Sequence, residues 1–140
     1  MKHIDWDDAF SIGVRVIDDQ HRTLFTLRND LADCCRAPEA IHSERFHDIL
    51  SEMFEYSRTH FATEEAYMRS IGYPELDRHV EEHAGFIESV ADLSVAIMAG
   101  RATPEAVLAF LSDWLLAHIL KSDRRICDPM REPAVALDCG

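Results

Sequence analysis

Basic residues are scarce in this chain of 140: 14 Lys and Arg stand against 26 Asp and Glu, a formal charge of -12. That excess repels a nucleic-acid backbone and an anionic membrane surface, so neither is expected as a partner. No apolar run approaches the ~20 residues that a membrane-spanning helix needs. The opening MKHIDWDDAF also lacks the basic-then-apolar pattern of a secretory signal. The expectation is a soluble cytoplasmic protein. The four cysteines, at 34, 35, 127 and 139, form no CxxC pair and no zinc-knuckle spacing, which makes reduced thiols their expected state. Strict apolar/polar alternation is rare as well, and this argues against strands.

What is present is helical periodicity, with apolar residues recurring at three and four. Hydrophobic residues make up 47% of the chain, enough for one domain with its own core and against disorder. Residues 1–17 are the exception. There WDDAFSIGV, with Gly13 and β-branched neighbours, reads as an extended arm whose aromatics cap the core. A first helix is expected from an Asp18 or Asp19 cap to about Ala37, with Leu24, Phe25, Leu31 and Cys35 inward, Arg28 interrupting the stripe and Pro38 ending it. A second, from about Glu39 or Ser43 to Ile71, carries Phe46, Leu50, Met53, Ser57, His60, Glu64, Tyr67 and Ile71 on one face, and Gly72 and Pro74 stop it. A third, about Glu75–Ala99, aligns Leu76, His79, His83, Phe86, Val90, Leu93 and Ile97 before Gly100. The fourth opens with Thr103 and Pro104 and runs toward Asp128, where Pro129 closes it. The fold class expected is all-α, an antiparallel up-down four-helix bundle (18–128) with an extended N-terminal arm (1–17) and a tail (129–140).

Each helix places an ionisable group where the stripe calls for an apolar one: His21 on the first, His60 and Glu64 on the second, His79 and His83 on the third, His118 on the fourth. Buried charge is costly unless paired or metal-bound. Residues four apart share a helix face, so His60 with Glu64 and His79 with His83 are chelating pairs. Asp123, five residues past His118, is about 140° around an ideal helix from it. It must reach inward from a flank or use a local distortion. A lone inward histidine is more often a hydrogen-bonded core residue than a ligand, and the metal reading rests on the pairs and their convergence in one bundle. His3, His42 and His47 are read as ordinary histidines. The zinc-protease signature fails because Val80 follows His79 in HVEEH. The ferritin-like Glu/His spacing occurs only at Glu44 and His47, a coincidence. Imidazole dominance with two carboxylates suits iron, zinc or copper over magnesium or calcium. Two six-coordinate ions sharing five imidazoles, two bridging carboxylates and one bridging oxygen keep a single position open.

The blocks WDDAFSIGVRVIDDQH, THFATEEAYM, GYPELDRHVEEH and WLLAHILKSD resemble the bacterial hemerythrins over nearly the full length. That resemblance implies a non-haem centre of two iron ions, oxo- or hydroxo-bridged, that binds dioxygen reversibly. By motif position it implies His79, His83 and His118 on one iron, His21 and His60 on the other, and Glu64 and Asp123 as bridges. The two-histidine iron would keep the open position, inside a dry pocket for which Leu24, Phe25, Trp114, Leu115 and Ile119 are the candidate walls. The implied role is an oxygen carrier, store or local supplier, not an enzyme. The rivals are a sensor acting through a separate protein partner and an oxidase- or peroxidase-type enzyme. Cys34, Cys35 and Cys127 are not part of the family pattern, and the tail PAVALDCG reads as an extension.

Overall fold

The computed structural model describes residues 3–36 and 44–127. Four long helices follow one another: α1 Arg15–Cys34, α2 Glu44–Ser70, α3 Leu76–Met98 and α4 Pro104–Ala117. Each packs on the next, and α1 also meets α4, closing the ring. Cross-helix pairs run in opposite directions along neighbours. Arg28 of α1 donates to Ser112 of α4 at 2.8 Å, and His21 of α1 faces Asp123 beyond α4 at 3.0 Å. The architecture is the antiparallel up-down four-helix bundle expected. No helix among the described residues is long and apolar enough to cross a membrane.

The stops are local chemistry. Gly72 and Gly100 adopt φ of 65° and 72°, and the following residues bond back five positions, Tyr73 N to Met68 O at 2.9 Å and Arg101 N to Ala96 O at 2.7 Å. Those are glycine C-caps, where a side chain would be strained. Thr103 accepts from Ala106 N at 3.1 Å ahead of Pro104, capping α4 as its sequence promised. The proposed starts of α2 at Glu39 or Ser43, the end of α1 at Ala37–Pro38, the end of the last helix at Asp128–Pro129, and His42 and Cys139 lie outside the described residues.

The junction of arm and α1 differs from expectation. The arm ends at Val14 rather than 17, and it contains a 3₁₀ turn at Asp8–Phe10. Asp18 does not cap α1. It sits in the first turn, 7% exposed, and its carboxylate reaches back to accept from Ser11 Oγ at 2.5 Å and Ile12 N at 2.9 Å. The side chain read as a helix cap instead ties the arm to the helix. The arm's Trp6 and Phe10 then pack on Phe25 at ring separations of 5.8 and 5.0 Å, Arg22 covers Trp6, and Arg124 donates to the Ala9 carbonyl. Cys34 and Cys35 are free thiols. Cys127 is disulfide-bonded, so the expectation of thiols fails there, because spacing alone does not announce a pairing.

The core is stratified. Leu24, Leu31, Phe46, Met53, Phe86, Val90, Val107 and Leu111 belong to one large apolar cluster, in the half of the bundle that holds the end of α1 and the start of α2. Smaller clusters, Ile12–Val14–Ile17 and Met68–Tyr73–Ile126, close the arm end. Between them lies a polar layer. Replacing Asp18 with alanine removes two charge-assisted bonds and leaves the Ile12 N–H unpaired, and should cost about 3 kcal/mol. Denaturant unfolding together with limited proteolysis ahead of residue 15 checks this; unchanged stability and an uncut arm would contradict it.

Candidate metal centre

The polar layer is built on α2. Ser57, His60, Phe61 and Glu64 recur at three and four and are all buried, so they line one inward stripe. Glu64 is fully buried, and its two oxygens face different partners. Oε1 is 2.7 Å from His79 Nε2, 3.0 Å from His83 Nε2 and 3.4 Å from His118 Nε2. Oε2 is 3.3 Å from His60 Nε2 and 3.6 Å from His21 Nε2. Asp123 repeats the division, with Oδ1 3.0 Å from both His79 and His118 and Oδ2 3.0 Å from His21. Two donor groups result, Glu64–His79–His83–His118–Asp123 and His21–His60–Glu64–Asp123, sharing both carboxylates.

Asp123 reaches its place through a helix distortion. After Ala117 the chain runs as a π-helix over His118–Asp123 before a last α turn, Arg124–Ile126. A π turn bonds i to i+5 and accommodates an extra residue. Two residues five apart thereby come onto one face, which an α-helix does not allow. Of the two routes open from sequence, flank or distortion, the chain takes the second.

The donor chemistry fits metal. His21 Nε2, Glu64 Oε2 and both Asp123 oxygens are buried yet have no hydrogen-bond partner among the described residues, although imidazoles and carboxylates face one another at about 3 Å. Ring nitrogens also confront ring nitrogens, His79 Nε2 and His83 Nε2 lying 3.2 and 3.1 Å from His118 Nε2. Lone pairs aimed at a common point in this way need a cation between them. Protons supply it when metal does not. Burial presses His21 and His79 toward the neutral form, but the Asp123 and Glu64 carboxylates outweigh it and raise each to about 9. His118 is raised well above its ordinary value against the same burial. His60 is lowered, because burial there exceeds the pull of Glu64. Burial and mutual repulsion push Asp123 up, while burial pushes Glu64 up, yet the surrounding imidazoles hold both below the usual carboxylate range.

A second layer, missed from the sequence, holds the imidazoles. His83 Nδ1 meets Glu65 at 2.7 Å, His60 Nδ1 meets Gln20 Oε1 at 2.8 Å, and His118 Nδ1 faces Glu82 at 3.5 Å. Phe61 stacks on His83 with centroids 3.9 Å apart, and Trp114 stacks on His118 at 4.4 Å. The available signal was adjacency: Gln20, Glu65 and Glu82 each neighbour a donor in sequence, and Phe61 follows His60. Of the candidate pocket walls, Leu24, Leu115 and Ile119 are buried, Trp114 is half-buried, and Phe25 is buried against the arm. His3 bonds Asp33 at the surface, and His47 packs on Phe46 away from the centre.

Bundle and centre together define an all-helical protein organised around a buried imidazole–carboxylate cluster able to hold metal. A family model described as the hemerythrin HHE cation binding domain matches residues 12–127. The bacteriohemerythrin of Pseudomonas aeruginosa (strain LESB58) is 32% identical over 131 residues, covering 94% of this chain and 84% of that protein. The bacteriohemerythrin of Clostridium acetobutylicum is 32% identical over 126 residues, covering 88% and 98%. A crystal structure of wild-type hemerythrin superposes with a TM-score of 0.79 at 30% identity, covering 89% of this chain and 95% of that one. The chain belongs to the hemerythrin family.

Imidazoles raised from 6.5 to about 9 stabilise the metal-free fold fully below 6.5, and the contribution is lost as pH rises through about 9. His60, lowered, acts only below 6.5 and leaves that window alone. The melting temperature of chelator-stripped protein should therefore fall between pH 6.5 and 9, while metal-loaded protein stays level. Parallel pH profiles for the two forms would contradict the account.

Proposed function

We propose that the two donor groups hold two iron ions and that the protein binds dioxygen reversibly, as a carrier, store or local supplier, without catalytic turnover. The supporting observation is the unequal division of imidazoles about two shared carboxylates. His79, His83 and His118 would bind one ion, His21 and His60 the other, with Glu64 and Asp123 bridging. The smaller set leaves the second ion a position for an outside ligand. A pair of ferrous ions supplies the electrons and the vacant coordination position that dioxygen requires.

The chain's part is to hold and to exclude. Glu64 and Asp123 arrive from different helices, so the bundle itself sets the separation of the two metal positions. Leu24, Leu115 and Ile119, buried beside the polar layer, keep water and stray protons from the vacant position, which protects the ferrous state. Phe61 and Trp114, stacked flat on His83 and His118, lock the ring planes, so that Nε2 stays aimed inward. A small neutral diatomic passes such a lining more readily than a hydrated anion does.

Purified protein reduced without oxygen in the presence of ferrous salt should carry two irons per chain. On exposure to air it should develop a visible ligand-to-iron charge-transfer band that disappears when oxygen is removed. Zinc in place of iron, or a band that never reverses, would refute the proposal. His60→Ala and Glu64→Ala should each lose both the band and iron; full iron content with undiminished colour in either variant would overturn the ligand set.

A further inference from the structure

We propose that Glu65 and Glu82 are positioning residues that make the three-histidine half the tighter, first-filled metal position, and that neutral Gln20 leaves the two-histidine half to fill second. The proposal rests on the two-metal reading above and extends it to an order of loading.

The two halves have opposite surroundings behind their imidazoles. On the three-histidine side, Glu65 accepts from His83 Nδ1 at 2.7 Å. Glu82 faces His118 Nδ1 at 3.5 Å while its other oxygen accepts from Ser122 Oγ at 3.0 Å, which pins the carboxylate in place. Two anions therefore stand behind two of the three donors. On the other side His60 Nδ1 donates to Gln20 Oε1 at 2.8 Å. The amide is oriented by its own chain of bonds: Gln20 Nε2 donates to Thr63 Oγ1 at 3.2 Å, and that hydroxyl donates to the Thr59 carbonyl at 3.1 Å. The oxygen must face the ring, and it carries no charge. His21 Nδ1 is buried with no hydrogen-bond partner among the described residues.

A carboxylate that accepts Nδ1–H pushes electron density through the ring to Nε2 and fixes the tautomer in which Nε2 is the donor. It also adds a negative charge near the cation, screened less at Glu65, whose side chain is 22% exposed, than at Glu82, 37% exposed. A neutral amide fixes the tautomer without the charge, and an unpartnered Nδ1 does neither. The half with an extra imidazole is thus also the half with strengthened imidazoles. The difference in donor number alone would order the two steps, so substitutions that leave donor number untouched isolate the surrounding charge.

Cobalt(II) tests this without iron or oxygen. Metal-free protein titrated with cobalt(II), followed by calorimetry and by paramagnetically shifted proton NMR, should bind in two steps. Shifted Nδ1–H signals of His83 and His118 should come with the first equivalent and that of His60 with the second. Glu65→Gln and Glu82→Gln should each weaken the first step by about ten- to hundredfold and leave the second nearly unchanged. Gln20→Glu should strengthen the second step and narrow the gap, which keeps the test open if a glutamate variant folds poorly. An unaltered first step in both glutamine variants, equal weakening of both steps, or a His60 signal that appears first would overturn the proposal. Two ordered cobalt steps in a protein whose iron form shows no reversible oxygen band would refute the oxygen reading alone; no cobalt uptake would refute both.

Discussion

A carboxylate with no exposure, set among five imidazoles, is the constraint around which this bundle is arranged. Glu64 cannot stay charged in an apolar core without compensation, and burying an ion uncompensated costs several kcal/mol. Its compensation comes from all four helices: His60 from its own, His21 from α1, His79 and His83 from α3, His118 from the end of α4. Because each oxygen faces a different histidine set, the side chain has one place to be. The helices that deliver those histidines are therefore fixed in axial register relative to α2. An apolar contact would tolerate a slide of a few tenths of an ångström, whereas a donor at 2.7–3.6 Å from a shared oxygen does not. The polar layer specifies alignment, and the apolar layers on either side supply most of the burial.

The same requirement accounts for the irregularities. A continuous α-helix through residue 123 would turn Asp123 away from His118, and the π turn brings it into the polar layer instead. Such turns cluster at functional sites because they re-aim one side chain while the helix continues. The arm acts at the same end. Asp18, three residues before His21, holds the backbone of Ile12, and Ile12, Val14 and Ile17 form the apolar lid over Tyr67 and the arm end of the centre. Sealing that end keeps the buried carboxylates from exchanging their partners for water.

Most of this architecture could be read from periodicity. The inward stripes of α2 and α3 stand in the structure where the three-and-four spacing put them from Phe46 to Glu64 and from His79 to Val90, because a helix face is a direct function of residue number, while Tyr67, Ile71, Leu76 and Leu93 are only half-buried. The five inward histidine positions stood out for the same reason: an ionisable group on an apolar stripe is an anomaly in one dimension as well as in three. Asp123 was legible as a donor type but not as a position, since its placement depends on a π turn that no spacing rule announces. Gln20, Glu65 and Glu82 were not legible. They lie one residue from a donor, about 100° around the helix, where a polar side chain looks like solvent-facing surface, and only the packing of a neighbouring helix turns it into a partner. Asp18 was misread because a short acidic side chain near a helix start can bond forward to the helix or back to the arm, and the choice is tertiary.

Stratification also explains how a bundle accommodates a centre made of mutually facing lone pairs. The large apolar cluster, from Leu31 and Phe46 to Val107 and Leu111, contains none of the seven residues of the polar cluster. Helix pairing can be driven there by burial alone. In the polar layer the carboxylates of Glu64 and Asp123 raise His21, His79 and His118, whose imidazolium forms offset those two buried charges.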